Sequence, residues 1–178
     1  MIILYITLLA NIIVFLLMYN GKLELTKLAE SYDTVITKKQ YYRIITAAFT
    51  HRSIIHIIFN MIALYGVGRV ISVYFGTLGF IFIYFGSIII GQLLSLYIHH
   101  KNGEDYIYSV GASGGICGLI GAYLVLIITI FGFSGISRIA TTLGYMIIMS
   151  FLPNVDGTAH ISCLAVGIGL AYLLTLIL

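Results

Sequence analysis

Six apolar stretches, each close to the length that crosses a hydrocarbon layer, leave this chain little freedom in what it folds into. They fall at about residues 2–19, 54–73, 78–98, 112–132, 136–152 and 159–178, the fifth being short and the least distinct at its edges. Only 8% of the residues are charged and the mean hydropathy is +1.10, whereas ordinary soluble domains carry about a quarter charged residues. Too few polar groups exist to cover a water-facing surface, so the solvent is lipid. The expected fold is an all-α membrane protein, a six-transmembrane-helix bundle forming a single domain over 1–178 with no soluble domain. The first stretch lacks a basic leader and a small-x-small cleavage site, so it reads as a helix of the bundle rather than a signal peptide.

Several classes fall away. No basic run exceeds Lys38-Lys39, so nucleic acid is not an expected partner. Cys117 and Cys163 both lie within apolar stretches, where a disulfide scaffold or a four-ligand zinc site is not expected. No Asp or Glu lies inside any span, which argues against a proton-coupled carrier. His99 and His100, next to Lys101, read as solvated loop residues and not as facing ligands of a haem. Tyr residues, 14 of them with no Trp, are left to occupy the membrane interface.

Charge does not settle orientation. With six spans both termini share one side, and Lys22, Lys27, Lys38, Lys39, Arg43, Arg52 and Lys101 lie on the other, against Arg69 and Arg138 on the termini side. The positive-inside rule then puts the termini outside. The long first loop alternates apolar and charged residues from Lys22 to Leu28, however, as an interfacial element would, and that weakens the count.

Apart from Arg69 and Arg138 near span ends, polar residues within or just before the spans are few: His51, His56, Asn60, Gln92, Ser113, His160 and some hydroxyls. His56 and Asn60, at i and i+4, share one helix face. They suit either an oxyanion site, where fixed donors meet developing negative charge, or interhelical hydrogen bonds. In Gly111-Ala112-Ser113-Gly114, the serine stands at a Gly-rich helix start, where free N–H groups favour an anion. It also heads a stripe of small residues, Gly114, Gly118 and Gly121, which suits close packing alone. His160 heads the last span, beside the small-residue series Ala159, Cys163, Gly167, Ala171. If the two stripes face each other, these parallel helices bring Ser113 and His160 to one depth. That hydroxyl–imidazole pair is the minimum for nucleophilic catalysis, the alternative being a histidine bonded to a carbonyl. Asp156, in the turn before His160, reads as a solvated turn residue.

Taken together these pieces resemble the rhomboid family of intramembrane serine proteases, over roughly residues 40 to 170. Tyr41 to His51 resembles the family's Trp-Arg…Thr…Phe…His run, and His51, His56 and Asn60 match its His-x4-His-x3-Asn pattern. Gly111-Ala112-Ser113-Gly114 matches Gly-x-Ser-Gly, and Ala159-His160 with Gly167 matches the final Ala-His…Gly helix. The resemblance implies a rhomboid-type bundle with Ser113 as nucleophile and His160 as general base. It assigns the oxyanion to His56, Asn60 and the Ser113 backbone N–H, and gives His51 a structural place in the first loop. It implies no metal or other cofactor, and single-pass transmembrane proteins in the lipid bilayer as substrates. It further implies a cell-membrane protein whose active site opens to the non-cytoplasmic side. The 153–158 loop would cap the cavity, and span five would border the route of substrate entry.

Four departures stand out. Tyr42 replaces the usual Trp, and Ser72 lies near the place of the family's acidic residue after the second helix. Cys117 occupies the place of an aromatic that commonly packs on the catalytic histidine, and Cys163 that of the first Gly in Gly-x3-Gly. The last two read as mutually compensating, a smaller residue facing a larger one. A catalytically inactive rhomboid-like protein that binds membrane segments is the alternative function, and oligomeric state is not given by the sequence.

Overall fold

Apolar sequence becomes helix in six places in the computed structural model, which describes residues 1–150 and 155–177. They are α1 (Ile2–Tyr19), α2 (Ile54–Tyr74), α3 (Gly76–Lys101), α4 (Ser113–Phe131), α5 (Ala140–Ser150) and α6 (Gly157–Thr175). All but α5 are long and apolar enough to cross a bilayer. The fifth expected span is therefore present but shorter than anticipated: 3-10 turns over Phe133–Arg138 take its first residues, and α5 has 11 residues. Phe151 and Leu152, which the expected span included, lie outside the described residues, as does Leu178.

Caps account for two of the helix starts that matter most. The Ser53 hydroxyl accepts from the His56 N–H at 3.1 Å and opens α2. The Asp156 carboxylate accepts from the Ala159 N–H at 2.9 Å and opens α6. Both satisfy an amide that the first helical turn leaves without a partner.

Helix α4 is the centre of the bundle. Of its apolar window 61% is buried inside the protein, against 17% for α1, whose buried face is only Leu4, Thr7 and Asn11. The most extensive helix contact is between α4 and α6, and the small-residue stripes are its cause. A Cβ on Gly167 would collide with the Gly118 backbone, and one on Gly121 with the Leu164 carbonyl. Backbones this close gain dispersion contacts that no larger side chain would permit, the usual device where lipid removes a hydrophobic drive between helices.

The continuous helix α3 contains a π turn over Ser87–Gly91 and packs its inner face on α4 and α6 there. The first loop, 20–53, is a folded element and not a tether. Arg43, buried, donates to the carbonyls of Thr26 (2.8 Å) and Ala29 (2.6 Å) and to Gln40 Oε1 (2.6 Å). Paired backbone bonds between Glu30 and Ser109 (3.2 and 2.9 Å), one from Asp33 to Asp105 and one from Gly111 to Ala47 fasten this loop to the segment that leads into α4.

Candidate active site

Ser113 is the first residue of α4, and the chain reaches it through a bend that only glycine takes easily. Gly111 has φ +116°, and a Cβ there would stand 2.9 Å from the imidazole of His56. The bend thus brings the approach to Ser113 against the start of α2. Next, the Ala112 N–H donates to His51 Nε2 at 3.5 Å. Burial, reinforced by the neighbouring His56, lowers the His51 pKa from 6.5 to about 4. The ring is therefore neutral at physiological pH and able to accept. The His51 and His56 rings meet edge to face at 5.0 Å. As the first residues of α4, Ser113, Gly114 and Gly115 carry N–H groups without an intrahelical acceptor, so Ser113 stands among unpaired donors.

Two cavities meet at the candidate dyad. One, of about 380 Å³, lies on the loop side and is lined by His56, Gln92, Ser109 and Asp156 among others. The other, of about 480 Å³, is an apolar groove between α2, α4 and α5, with Ala63, Val67, Cys117, Tyr145 and Met146 in its walls. Phe59, Asn60, Ser113 and His160 line both. The sequence stripes therefore do bring Ser113 and His160 to one place, with Asn60 beside them. Asn60 uses one amide proton on the His56 carbonyl at 2.8 Å, and an amide carries two. His56 borders the loop-side cavity and accepts weakly from the Arg52 N–H at 3.5 Å.

The remaining site residues are structural in placement. A Cβ on Gly114 would meet Gln92 Nε2 at 3.1 Å and the Cys163 sulfur at 3.2 Å. Cys163 also lies against Gly91 in the π turn of α3, and Cys117 faces the apolar groove with His160. Cys163 thus finds its room opposite glycines of α3 and α4. Both cysteines are free thiols and both are buried.

Two readings of the sequence need correction. His99 is not a solvated loop residue: it lies on the last turn of α3, 5% exposed, with Nδ1 2.9 Å from Glu104 Oε2 and Nε2 3.0 Å from Asp156 Oδ1. His100, on the same turn, stacks on Tyr32 at 4.0 Å and bonds Asp105 at 2.9 Å. Nor is Asp156 a solvated turn residue. Besides capping α6 and binding His99, it accepts from the Ser109 hydroxyl. The start of α6 is thereby tied to the end of α3 and to the segment before Ser113. Partners 57 and 47 residues apart leave no local signal in sequence. Glu30, fully buried beneath this cluster, has no hydrogen-bond partner for its carboxyl among the described residues. Burial, and then the Asp156 carboxylate, push its pKa well above the usual value. Of the 153–158 loop, Pro153 and Asn154 lie outside the described residues; Val155 and Asp156 line the loop-side cavity.

Comparison with known proteins agrees with this architecture. The Rhomboid domain family matches residues 38–177. YdcA of Bacillus subtilis (strain 168), described as a rhomboid, is 30% identical over 146 residues, 80% of this chain and 71% of its own. RHOMBOID-like protein 6, mitochondrial, of Arabidopsis thaliana is 32% identical over 152 residues, 82% of this chain and 48% of its own. The rhomboid protease GluP of Bacillus subtilis (strain 168) is 29% identical over 142 residues, 76% of this chain and 26% of its own. The chain thus spans less than half the length of the last two.

Proposed function

This chain belongs to the rhomboid family, and on that premise we propose that it is an intramembrane serine endopeptidase working by a Ser113–His160 dyad. The observation that carries the reading is the pair of cavities whose common wall holds Ser113, His160 and Asn60. An apolar groove between α2 and α5 suits a transmembrane segment of a single-pass protein, and the polar loop-side cavity suits water. A serine that met only one of them would lack either substrate or co-substrate.

In this mechanism Ser113 Oγ attacks the scissile carbonyl carbon while His160 Nε2 takes the hydroxyl proton. The tetrahedral oxyanion rests on the Ser113 N–H, the Asn60 amide and His56. Collapse breaks the C–N bond as His160 returns the proton to the departing amine, leaving an ester on Ser113. Water from the loop-side cavity then attacks that ester with His160 again as base, which releases the acid and frees the serine. Fixed donors in a site shielded from bulk water stabilise the developing charge with little reorganisation, and loss of one side-chain donor costs about 3 kcal/mol of barrier in comparable sites. Orientation follows the family: termini in the cytoplasm, active site toward the opposite side of the cell membrane.

The test is cleavage of a panel of single-pass membrane proteins in reconstituted liposomes. Wild type is expected to cut, and Ser113→Ala and His160→Ala to lose all cleavage. Cutting that survives either change overturns the dyad. Binding of the same segments without any cutting by wild type supports an inactive binding protein instead.

A further inference from the structure

His160 has a second ring nitrogen, and the structure gives it a partner. Nδ1 lies 3.0 Å from the hydroxyl of Ser150, the last described residue of α5, and the contact is buried. The same hydroxyl lies 2.8 Å from the carbonyl of Met146, one turn earlier in α5. Nε2 has no hydrogen-bond partner among the described residues, and the imidazole borders both cavities.

We propose that Ser150 is the positioning residue of His160, holding its ring in the tautomer that leaves Nε2 free to act as base. The proton count follows from the donors present. A hydroxyl has one proton and can accept as well; a carbonyl can only accept. The Ser150 proton therefore goes to the Met146 carbonyl, the back-bond that serines on helices commonly make. Its oxygen is then left to accept from Nδ1–H. With the proton on Nδ1, Nε2 keeps its lone pair. The reverse tautomer would present N–H to Ser113, and no proton could be taken from it. When His160 becomes imidazolium, the Nδ1–H···O bond becomes charge-assisted and strengthens at the moment it is needed.

Among the described residues nothing else in the site can play this part. The nearest carboxylate, Asp156, has its oxygens on His99, Ser109 and the Ala159 N–H, and none on the His160 ring. The remaining charged or titratable groups toward this ring are His56 of α2 and Cys117 of α4, with Tyr145 from α5 in the shared groove, and none of them is hydrogen-bonded to it. The approach of α5 is itself built in: a Cβ on Gly157, in the first turn of α6, would collide with the Ser150 carbonyl and stand 3.6 Å from its Cβ. Gly157 thus lets the Ser150 backbone come close enough to reach the ring one turn away.

The inference rests on His160 serving as the base, so the test separates the two ideas. Nitrogen-15 spectra of the full chain in nanodiscs, with His160 assigned by its loss in His160→Gln, read the tautomer directly. In wild type the neutral ring is expected to be protonated on Nδ1. In Ser150→Ala the proton is expected to move toward Nε2, with kcat about tenfold to a hundredfold lower, part of the roughly hundredfold to ten-thousandfold that a poised general base contributes, and KM little changed. Ser150→Thr, which keeps the hydroxyl, restores both, and Gly157→Ala, which displaces Ser150 without altering it, reproduces the alanine spectrum. A wild-type ring protonated on Nε2, or an unchanged spectrum and kcat in Ser150→Ala, overturns the proposal. A wild type that cuts nothing overturns the protease reading, while the tautomer spectra still decide whether Ser150 orients His160.

Discussion

Helix α6 has two neighbours of opposite character. Against α4 it lies backbone to backbone through Gly118, Gly121 and Gly167, so that the spacing of the helices is set by atoms that cannot rotate away. Against α5, among the described residues, it is joined by the Ser150–His160 hydrogen bond and the close pass at Gly157. The proposed nucleophile and base sit on the firmly spaced pair, whereas α5, which forms one wall of the apolar groove, is short and lightly held. Catalytic geometry needs fixed separation, whereas a groove that admits a helix needs a wall that can give.

That contrast can be attacked from both sides. The largest effect is expected for Gly167→Val, which puts branched carbons into the Gly118 backbone. It should cost about 3 kcal/mol or more of stability, because neither partner is a side chain able to turn aside. Thermal unfolding in detergent measures it, and a loss under about 1 kcal/mol would mean that the α4–α6 spacing is softer than its glycines imply.

An intermediate effect is expected at the entrance to the firm half, where neutral His51 receives the Ala112 N–H. Its folded pKa, about 4, lies below the ordinary 6.5. The stability it contributes is thus complete above pH 6.5 and drains away as pH falls toward 4. Between about pH 7.5 and about pH 5 the loss attributable to this group is about 2 kcal/mol, and it should vanish from the pH dependence of His51→Asn. An identical acid loss in both proteins would remove His51 from the account.

The smallest change is expected in α5. Gly144 has nothing within 4 Å of where a Cβ would stand. Gly144→Ala should therefore add up to about 1 kcal/mol through helix propensity alone. Any destabilisation would show that α5 is held by contacts tighter than the groove suggests.

The contrast was only half visible in the sequence. Small residues at four-residue spacing announce a close helix pair, and Gly-x-Ser-Gly and Ala-His mark where each helix begins, so α4, α6 and the placement of the candidate dyad were legible. For α5 only hydropathy was available, and it cannot distinguish the 3-10 turns of Phe133–Arg138 from the helix that follows them. The Asp156–His99 contact and the buried Glu30 depend on a loop folding back over distant sequence, which no periodicity records. Ser150 did leave a trace, a hydroxyl near the end of an apolar stretch, but its partner lies on another helix.

The π turn of α3 has a consequence for how this chain tolerates length change. Between Ser87 and Gly91 the helix carries one residue more than an α-helix of equal rise would hold. Deleting a residue from an ordinary turn rotates everything beyond it by about 100°. Such a deletion would swing Gln92 off the loop-side cavity and His99 away from Asp156. Deleting a lipid-facing residue of the π turn, such as Ile89 or Ile90, instead relaxes the surplus and keeps both halves of the helix on their present faces. The turn is a place where the length of this membrane helix and the direction of its side chains are uncoupled.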